Sequence, residues 1–210
     1  MKRNAIYVVD ENAPARRANT EALKRLLDAP ELEFYEGEPF PSVADYNAIL
    51  AAPNTAAFVL DQRMKQAGLV SYNGTDLAAH LRQIDPKMPI YILTGYNEEI
   101  EDFDGCEHLV EYIIGKSQIR DRESKEAKII KARMLRHLNV FNDVRDAQGE
   151  RFHELLVKSL HGALTQEEHA EMDKLEGVIS APVAAAERAE ARSLGEVLDE
   201  LKKLTGEIPI

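Results

Sequence analysis

Short apolar runs alternate with amphipathic stretches over the first two thirds of the chain. Five runs have the length and the β-branched or aromatic content of strands, and they lie at 6–9, 32–35, 56–60, 90–93 and 112–114. Between them, the apolar residues recur every three or four positions, as on one face of a helix. Because strands that alternate with helices form parallel sheets covered on both faces, we predict a three-layer α/β domain.

The ends of the intervening helices carry local signals. Helices are predicted at 14–27, 42–51, 74–82 and 98–103. Pro14 suits a first helical turn, Ser42 is a good cap, and Pro53 ends the helix before it.

After Lys116 no strand pattern returns, and the remaining chain is predicted to be helical. A long helix from Glu123 is marked by apolar residues spaced by 3, 4, 4 and 3, namely Ala127, Ile130, Met134, Leu138 and Phe141. Further helices are predicted at 150–160, 165–175, 180–194 and 196–204. The chain is thus predicted to contain an α/β domain over 1–137 and an all-α region over 138–210. The second is a helical hairpin or small bundle, in which the apolar stripe of 138–160 is either a local core or a dimerisation surface.

The composition narrows the class of protein. An apolar fraction of 44% and a charged fraction of 30% are typical of a globular protein rather than a disordered one. The apolar runs are too short to span a membrane, and the first residues do not form a signal peptide, so we expect a cytoplasmic protein. Cys106 is the single cysteine, which excludes an internal disulfide and a cysteine metal cluster.

The net charge of −11 disfavours non-specific binding to nucleic acid. Residues 116–137 are an exception, with eight basic and three acidic side chains. This basic stretch is either a strip that docks an anionic partner or a solvated helix face. Acidic residues dominate the helix predicted at 165–175, so DNA binding by the C-terminal region is disfavoured and protein contact is favoured.

Four of the predicted strands run directly into reactive polar residues. Asp10 and Glu11 follow the first, Asp61 the third, Thr94 the fourth and Lys116 the fifth. Because the carboxyl ends of parallel strands meet in one crevice, we expect these side chains to converge. Three carboxylates, a hydroxyl and an ammonium suit a divalent cation and a phosphoryl group.

This set of residues resembles the receiver domain of bacterial two-component response regulators. The resemblance covers residues 1–137 and implies the flavodoxin-like fold, with parallel strands in the order 2-1-3-4-5. It implies that Asp61 accepts a phosphoryl group from a sensor histidine kinase or a phosphotransfer protein. It also implies that Thr94 and Lys116 contact the phosphoryl oxygens. The residues that match the family's Mg²⁺ ligands are Asp10, Glu11, Asp61 and, through its backbone carbonyl, Arg63.

Several positions depart from the family's pattern. Lys65 stands where a proline usually follows the acceptor, and Ser117 stands where a proline usually follows the lysine. The glycine usually found eight residues past the acceptor is best matched by Gly74, thirteen past it. The loop 66–73 is therefore longer by about five residues, and it is a candidate to cover the site or contact a partner. Ile113 occupies the position of the family's aromatic switch residue.

Two functional hypotheses follow from the residues and the resemblance. In the first, phosphorylation of Asp61 drives a switch, and the helical region binds a protein partner or forms a homodimer. In the second, a degenerate receiver acts as a phosphorylation-independent interaction module or a phosphate sink. In neither is the chain a conventional enzyme, because a receiver only assists its own phosphorylation and dephosphorylation.

Overall fold

Five parallel strands form one sheet, in the order β2-β1-β3-β4-β5. The computed structural model describes residues 2–95 and 105–206. The strands are Ala5–Val9 (β1), Glu33–Gly37 (β2), Thr55–Asp61 (β3), Ile90–Thr94 (β4) and Tyr112–Gly115 (β5). The predicted fold class and strand order are confirmed. The helix predicted at 98–103 lies outside the described residues.

The helices are Ala13–Leu27 (α1), Asn47–Ala51 (α2), Gly74–Ile84 (α3), Lys125–Leu160 (α4) and Gln166–Gly206 (α5). The Asn12 side chain caps α1 by accepting a hydrogen bond from the Ala15 amide. Ser42 caps a 3-10 turn, Val43–Tyr46, that leads directly into α2. No helix in the described ranges combines the length and the apolar character needed to cross a membrane.

The sheet has a hydrophobic core on each face, and all seven residues of β3 are buried. One core joins the sheet to α1 and α4, through residues such as Leu23, Ile130 and Met134. The other joins it to α2 and α3, through residues such as Leu50 and Leu77. Because β3 is covered on both sides, its carboxyl end is held firmly in the middle of the sheet edge.

Helix α4 is longer than predicted and continues without a break past the sheet. A separate helix was expected to begin at 150, but α4 runs to Leu160 and ends before Gly162, which has a φ of 64°. A single helical glycine such as Gly149 costs only about 1 kcal/mol, which is too little to end a helix. The predicted domain boundary between 137 and 138 therefore falls inside one continuous helix.

Two contacts fix α4 to the base of the sheet, at the end opposite the polar strand ends. The Asn142 side chain accepts a hydrogen bond from the Arg3 amide (2.8 Å) and donates one to the Arg3 carbonyl (3.0 Å). One turn further on, Arg145 pairs with Asp85, whose carboxylate is buried. We call these four residues the base clamp.

Helix α5 is one element where three helices were predicted. Pro182 was expected to start a new helix, but it lies inside α5 and is buried. A proline removes one helical hydrogen bond, and packing of this segment against α2 offsets that loss. Near its start α5 pairs with α4 through Arg151 and Glu171 (2.7 Å) and through Lys158 and Glu168 (2.6 Å). The C-terminal region is thus a helical hairpin that returns to the α/β domain.

A series of hydrogen bonds fixes α5 to that domain. The Asn47 side chain donates a hydrogen bond through Nδ2 to the carbonyl of Ala185 (3.1 Å), and its Oδ1 lies 2.7 Å from His80 Nε2. Asn47 and Ala185 are both buried and His80 is half-buried, so these hydrogen bonds connect α2, α3 and α5 largely out of contact with solvent. The apolar stripe of 138–160 contributes less to the core than expected, since Leu156 and Leu160 are exposed.

The His80 contact makes the stability of the protein sensitive to mild acid. Burial lowers the pKa of His80 from 6.5, so the unfolded chain takes up a proton at a higher pH than the folded chain. The stability contributed here is present above about pH 6.5 and is lost as the pH falls below it. We expect the urea midpoint of His80→Gln to fall less between about pH 7 and pH 5 than that of the wild type.

His153→Gln is the matched control, because His153 is exposed on α4. Its urea midpoint is expected to follow the wild type across the same pH range. Identical pH profiles for the wild type and His80→Gln would contradict the prediction.

Candidate phosphoryl-accepting site

The register of the sheet brings the predicted site residues to one edge. Val9 lies beside Leu60 on β3, so the residues that follow them, Asp10 and Asp61, are neighbours. Asp61 lies beside Leu93 on β4, and Thr94 lies beside Gly115 on β5, which Lys116 follows. The Lys116 amide also donates a hydrogen bond to the Thr94 carbonyl at 2.8 Å. Residues far apart in the sequence therefore meet because adjacent strands end at the same level.

Lys116 joins the two aspartates directly. Its Nζ lies 2.6 Å from Asp61 Oδ1 and 3.0 Å from Asp10 Oδ2. Asp10 is 2% exposed and Asp61 is 7% exposed, so the ion pairs are poorly hydrated. Burial lowers the pKa of Lys116, but the hydrogen bond and the charge of Asp61, together with those of Asp10, outweigh it and raise the pKa overall. The ammonium is therefore protonated at neutral pH.

Backbone and amide donors hold the two aspartates in place. Asp61 Oδ2 accepts a hydrogen bond from the Arg63 amide at 2.7 Å. Asp10 accepts one from the Asn12 amide at 2.9 Å and one from the Asn19 side chain at 3.3 Å. The sequence analysis did not identify Asn19. A polar residue among the buried positions of a helix is the signal that would have found it.

Glu11 has an oxygen that lacks a partner. Its Oε2 is buried and makes no hydrogen bond. Burial, followed by the charges of Asp61 and Asp10, raises the pKa of this carboxyl. A buried acceptor without a donor is costly, and a cation at this point would satisfy it.

The donor set fits a small divalent cation. Mg²⁺ prefers oxygen ligands and retains several waters, and the carboxylates of Asp10, Glu11 and Asp61 offer such oxygens. The carbonyl of Arg63 accepts a hydrogen bond from the Gln66 amide (3.0 Å). Within the described ranges, no three acidic, histidine or cysteine side chains are already grouped as a metal site. The Lys116 ammonium instead bridges Asp10 and Asp61.

The long loop after Asp61 folds back onto the domain. Met64 is fully buried, and the Tyr72 hydroxyl donates a hydrogen bond to the Phe40 carbonyl at 2.6 Å. The loop ends at Gly74, whose amide donates to the Gln62 carbonyl at 3.1 Å. The loop is therefore anchored to the segment before α2, the same segment against which α5 packs.

Gly74 lies against the backbone of Asp61. A Cβ at this position would overlap the Asp61 carbonyl oxygen and would lie 3.0 Å from Ile92 Cδ1. Only glycine lets the start of α3 come this close to the end of β3. The position of the Asp61 backbone is thus set by the helix that follows the loop.

The basic stretch of 116–137 lies mainly on the first half of α4. The Arg133 guanidinium stacks over the Tyr112 ring, 4.6 Å from its centroid. Arg136 lines a cavity of about 580 Å³ with Lys87 near the base of the sheet. An anionic partner for this stretch stays a prediction.

No protein-family model matches the chain, and no curated protein matches it. Among solved structures, it is similar to NtrX from Brucella abortus, with 18% identity and a TM-score of 0.51, over 70% of this chain and 30% of that one. It is also similar to the signal receiver domain of an HD domain-containing protein from Pseudomonas fluorescens Pf-5, with 16% identity and a TM-score of 0.49, over 70% and 94%. A third is response regulator TrrA from Thermotoga maritima in complex with Mg²⁺-BeF, with 19% identity and a TM-score of 0.44, over 64% and 98%. At 18% identity and a TM-score of 0.51, the likeness to NtrX establishes the fold alone, and the fold of the α/β domain is that of response-regulator receiver domains.

Proposed function

We propose that the chain is a response regulator in which Asp61 accepts a phosphoryl group with the help of Mg²⁺. The observation that carries the proposal is the bridge from Lys116 to Asp10 and Asp61, formed in a largely buried site beside the unpartnered oxygen of Glu11. A structural ion pair needs one carboxylate for one ammonium. Here two carboxylates share a single ammonium, and their charges also raise the pKa of Glu11 beside them, so the site holds an excess of negative charge that suits a cation.

Each residue has a role in this proposal. A carboxylate oxygen of Asp61 attacks the phosphorus, the bond from phosphorus to the donor breaks, and the donor keeps the electron pair. Lys116 pairs with Asp61 beforehand and with a phosphoryl oxygen afterwards, because it is a mobile point charge. Thr94 donates its hydroxyl to another phosphoryl oxygen. Bound Mg²⁺, held by Asp10, Glu11, Asp61 and the Arg63 carbonyl, would neutralise charge on the transferring group.

The donor is a histidine kinase or a phosphotransfer protein in this proposal, and the helical region passes the signal to a protein. Phosphorylation replaces the single negative charge of the Asp61 carboxylate with a phosphoryl group of about −1.5 to −2 charge beside Asp10 and Glu11, which biases the loop and the start of α3. That loop and α5 both contact the segment before α2. A conformational change at Asp61 can therefore reach the docked part of α5 through this segment. We expect no duplex DNA binding, given the acidic helices.

Intact-mass measurement tests the proposal. After incubation with acetyl phosphate and MgCl₂, the wild type is expected to gain the mass of one phosphoryl group, and Asp61→Asn is expected to gain none. Asp76→Asn is the matched control, because Asp76 is an exposed acid at the start of α3, and it should behave as the wild type.

A wild type that gains no mass, with or without Mg²⁺, would contradict the proposal. The chain would then be the phosphorylation-independent interaction module of the second hypothesis. A gain retained in Asp61→Asn would move the acceptor to another residue.

A further inference from the structure

Helix α5 exposes large apolar side chains on one face. Ile179 and Val183 are 38% and 48% exposed, and Leu194, Val197 and Leu198 are 59%, 49% and 55% exposed. Together these five residues define the outer face of α5. They lie within a span of 20 residues, which is about 29 Å of helix. A run of large apolar side chains of this length is more than the scattered exposure expected of a surface helix.

The outer face points away from the α/β domain. Ala185 marks the docked side, where it is 4% exposed and bonded to Asn47. Successive helical residues turn by about 100°, so Val183 and Leu194 lie about 160° and 180° from Ala185. The α/β domain lies on the opposite side of α5 and therefore does not cover these side chains.

The same face carries negative charge. Glu176, Glu187 and Glu190 fall within about 40° of the direction opposite Ala185, by the same turn per residue. Among the described residues of α5, no lysine or arginine lies within about 60° of that direction. The outer face thus combines an apolar stripe with acidic side chains that no lysine or arginine in the described part of α5 flanks.

We propose that the outer face of α5 binds a basic amphipathic helix of a partner protein. Apolar residues spaced by three or four positions accept the apolar stripe of another helix, and flanking carboxylates select lysine and arginine beside that stripe. A second copy of this chain is a poor match, because Glu187 and Glu190 of both copies would lie in one seam. Nucleic acid and anionic lipid surfaces are repelled by the same carboxylates. The inference goes beyond phosphorylation and does not depend on it.

Binding of a designed probe to the full chain tests the inference. The probe is a fluorescent 21-residue helical peptide with leucine at heptad positions a and d and arginine at e and g. We expect its anisotropy to report binding that weakens as salt is raised, because exposed charges are screened. A second peptide with glutamate at e and g is expected to bind at least tenfold more weakly.

Variants show whether the peptide binds at the outer face or is only attracted by the overall negative charge of the protein. Leu194→Gln combined with Leu198→Gln is expected to weaken binding at least tenfold, and both side chains are exposed, so the fold is preserved. Arg188→Gln is the control, since Arg188 is exposed on another side of the same helix and its loss should leave binding within twofold. Circular dichroism melts should be alike for all three proteins.

Three outcomes would overturn the inference. One is absence of binding by the basic peptide, and another is equal binding to the wild type and the double variant. The third is sedimentation showing that the wild type dimerises and the double variant does not, which would make a second copy the occupant. A failure of any of these tests leaves the mass measurement on Asp61 unaffected.

Discussion

Replacing Lys116 by methionine is expected to lower the free energy of unfolding by about 3 kcal/mol at neutral pH, because it leaves buried carboxylates without their cation. Asp10 and Asp61 are almost fully buried, and Lys116 is the ammonium that pairs with both of them. Urea unfolding in the presence of EDTA measures the loss. MgCl₂ is expected to restore part of it, since a cation bound only by the folded state stabilises that state.

Two further variants make this result specific. Lys128→Met removes an exposed lysine of α4 that pairs with Glu123, and it is expected to change stability by less than about 1 kcal/mol. Adding Asp61→Asn to Lys116→Met is expected to recover stability, because one of the unpaired negative charges is removed. Wild-type stability for Lys116→Met in EDTA would show that the two aspartates do not need the ammonium.

Replacing Gly74 by alanine is expected to destabilise the protein by about 2–3 kcal/mol, the upper part of the range for overpacking. The added methyl group would overlap the Asp61 carbonyl oxygen, and a backbone atom in the central strand cannot move aside as a side chain tip can. The start of α3 must therefore shift away from β3. Urea or thermal unfolding measures the effect.

Gly149→Ala is the matched control for this substitution. Gly149 lies inside α4, and a Cβ there would meet nothing within 4 Å. Since alanine favours helix over glycine, the change is expected to stabilise the protein by about 0.5–1 kcal/mol. Equal effects at both positions would contradict the close approach of α3 to Asp61.

The sheet and its polar edge could be predicted because both leave a local trace in the sequence. Strands buried on both faces appear as continuous apolar runs, and the residue after each run falls at the edge of the sheet. Asp10, Asp61, Thr94 and Lys116 were predicted in this way to converge, and the register of the strands brings them to one edge of the sheet. The edge strand β2 gave a weaker signal, because it is partly exposed, and its observed bounds are shifted from the predicted ones.

The helical region was predicted less well, because distant contacts override its local signals. Pro182 favours the start of a helix in isolation, yet α5 passes through it where α2 packs against it. The hydrogen bonds that link His80 to Asn47 and Asn47 to Ala185 connect α5 to residues more than a hundred positions away in the sequence. No spacing rule within the sequence indicates such a contact.

The length of the loop after Asp61 was predicted, but its path was not. The path of an inserted segment depends on the tertiary contacts that it makes. Here the contact is the hydrogen bond from the Tyr72 hydroxyl to the Phe40 carbonyl. Asn19 was missed for a related reason, since its role depends on its distance from Asp10 rather than on its neighbours in the chain.

The base clamp has a practical consequence for anyone who expresses the α/β unit alone. A fragment cut at 137 would lack Asn142 and Arg145. The backbone of Arg3 would then lose its hydrogen-bond partner, and the buried carboxylate of Asp85 would lose its counter-ion. A cut after about 148 keeps both contacts, although it removes α5 together with the second half of α4. Truncations meant to isolate the α/β domain should therefore be designed around position 148 rather than at 137.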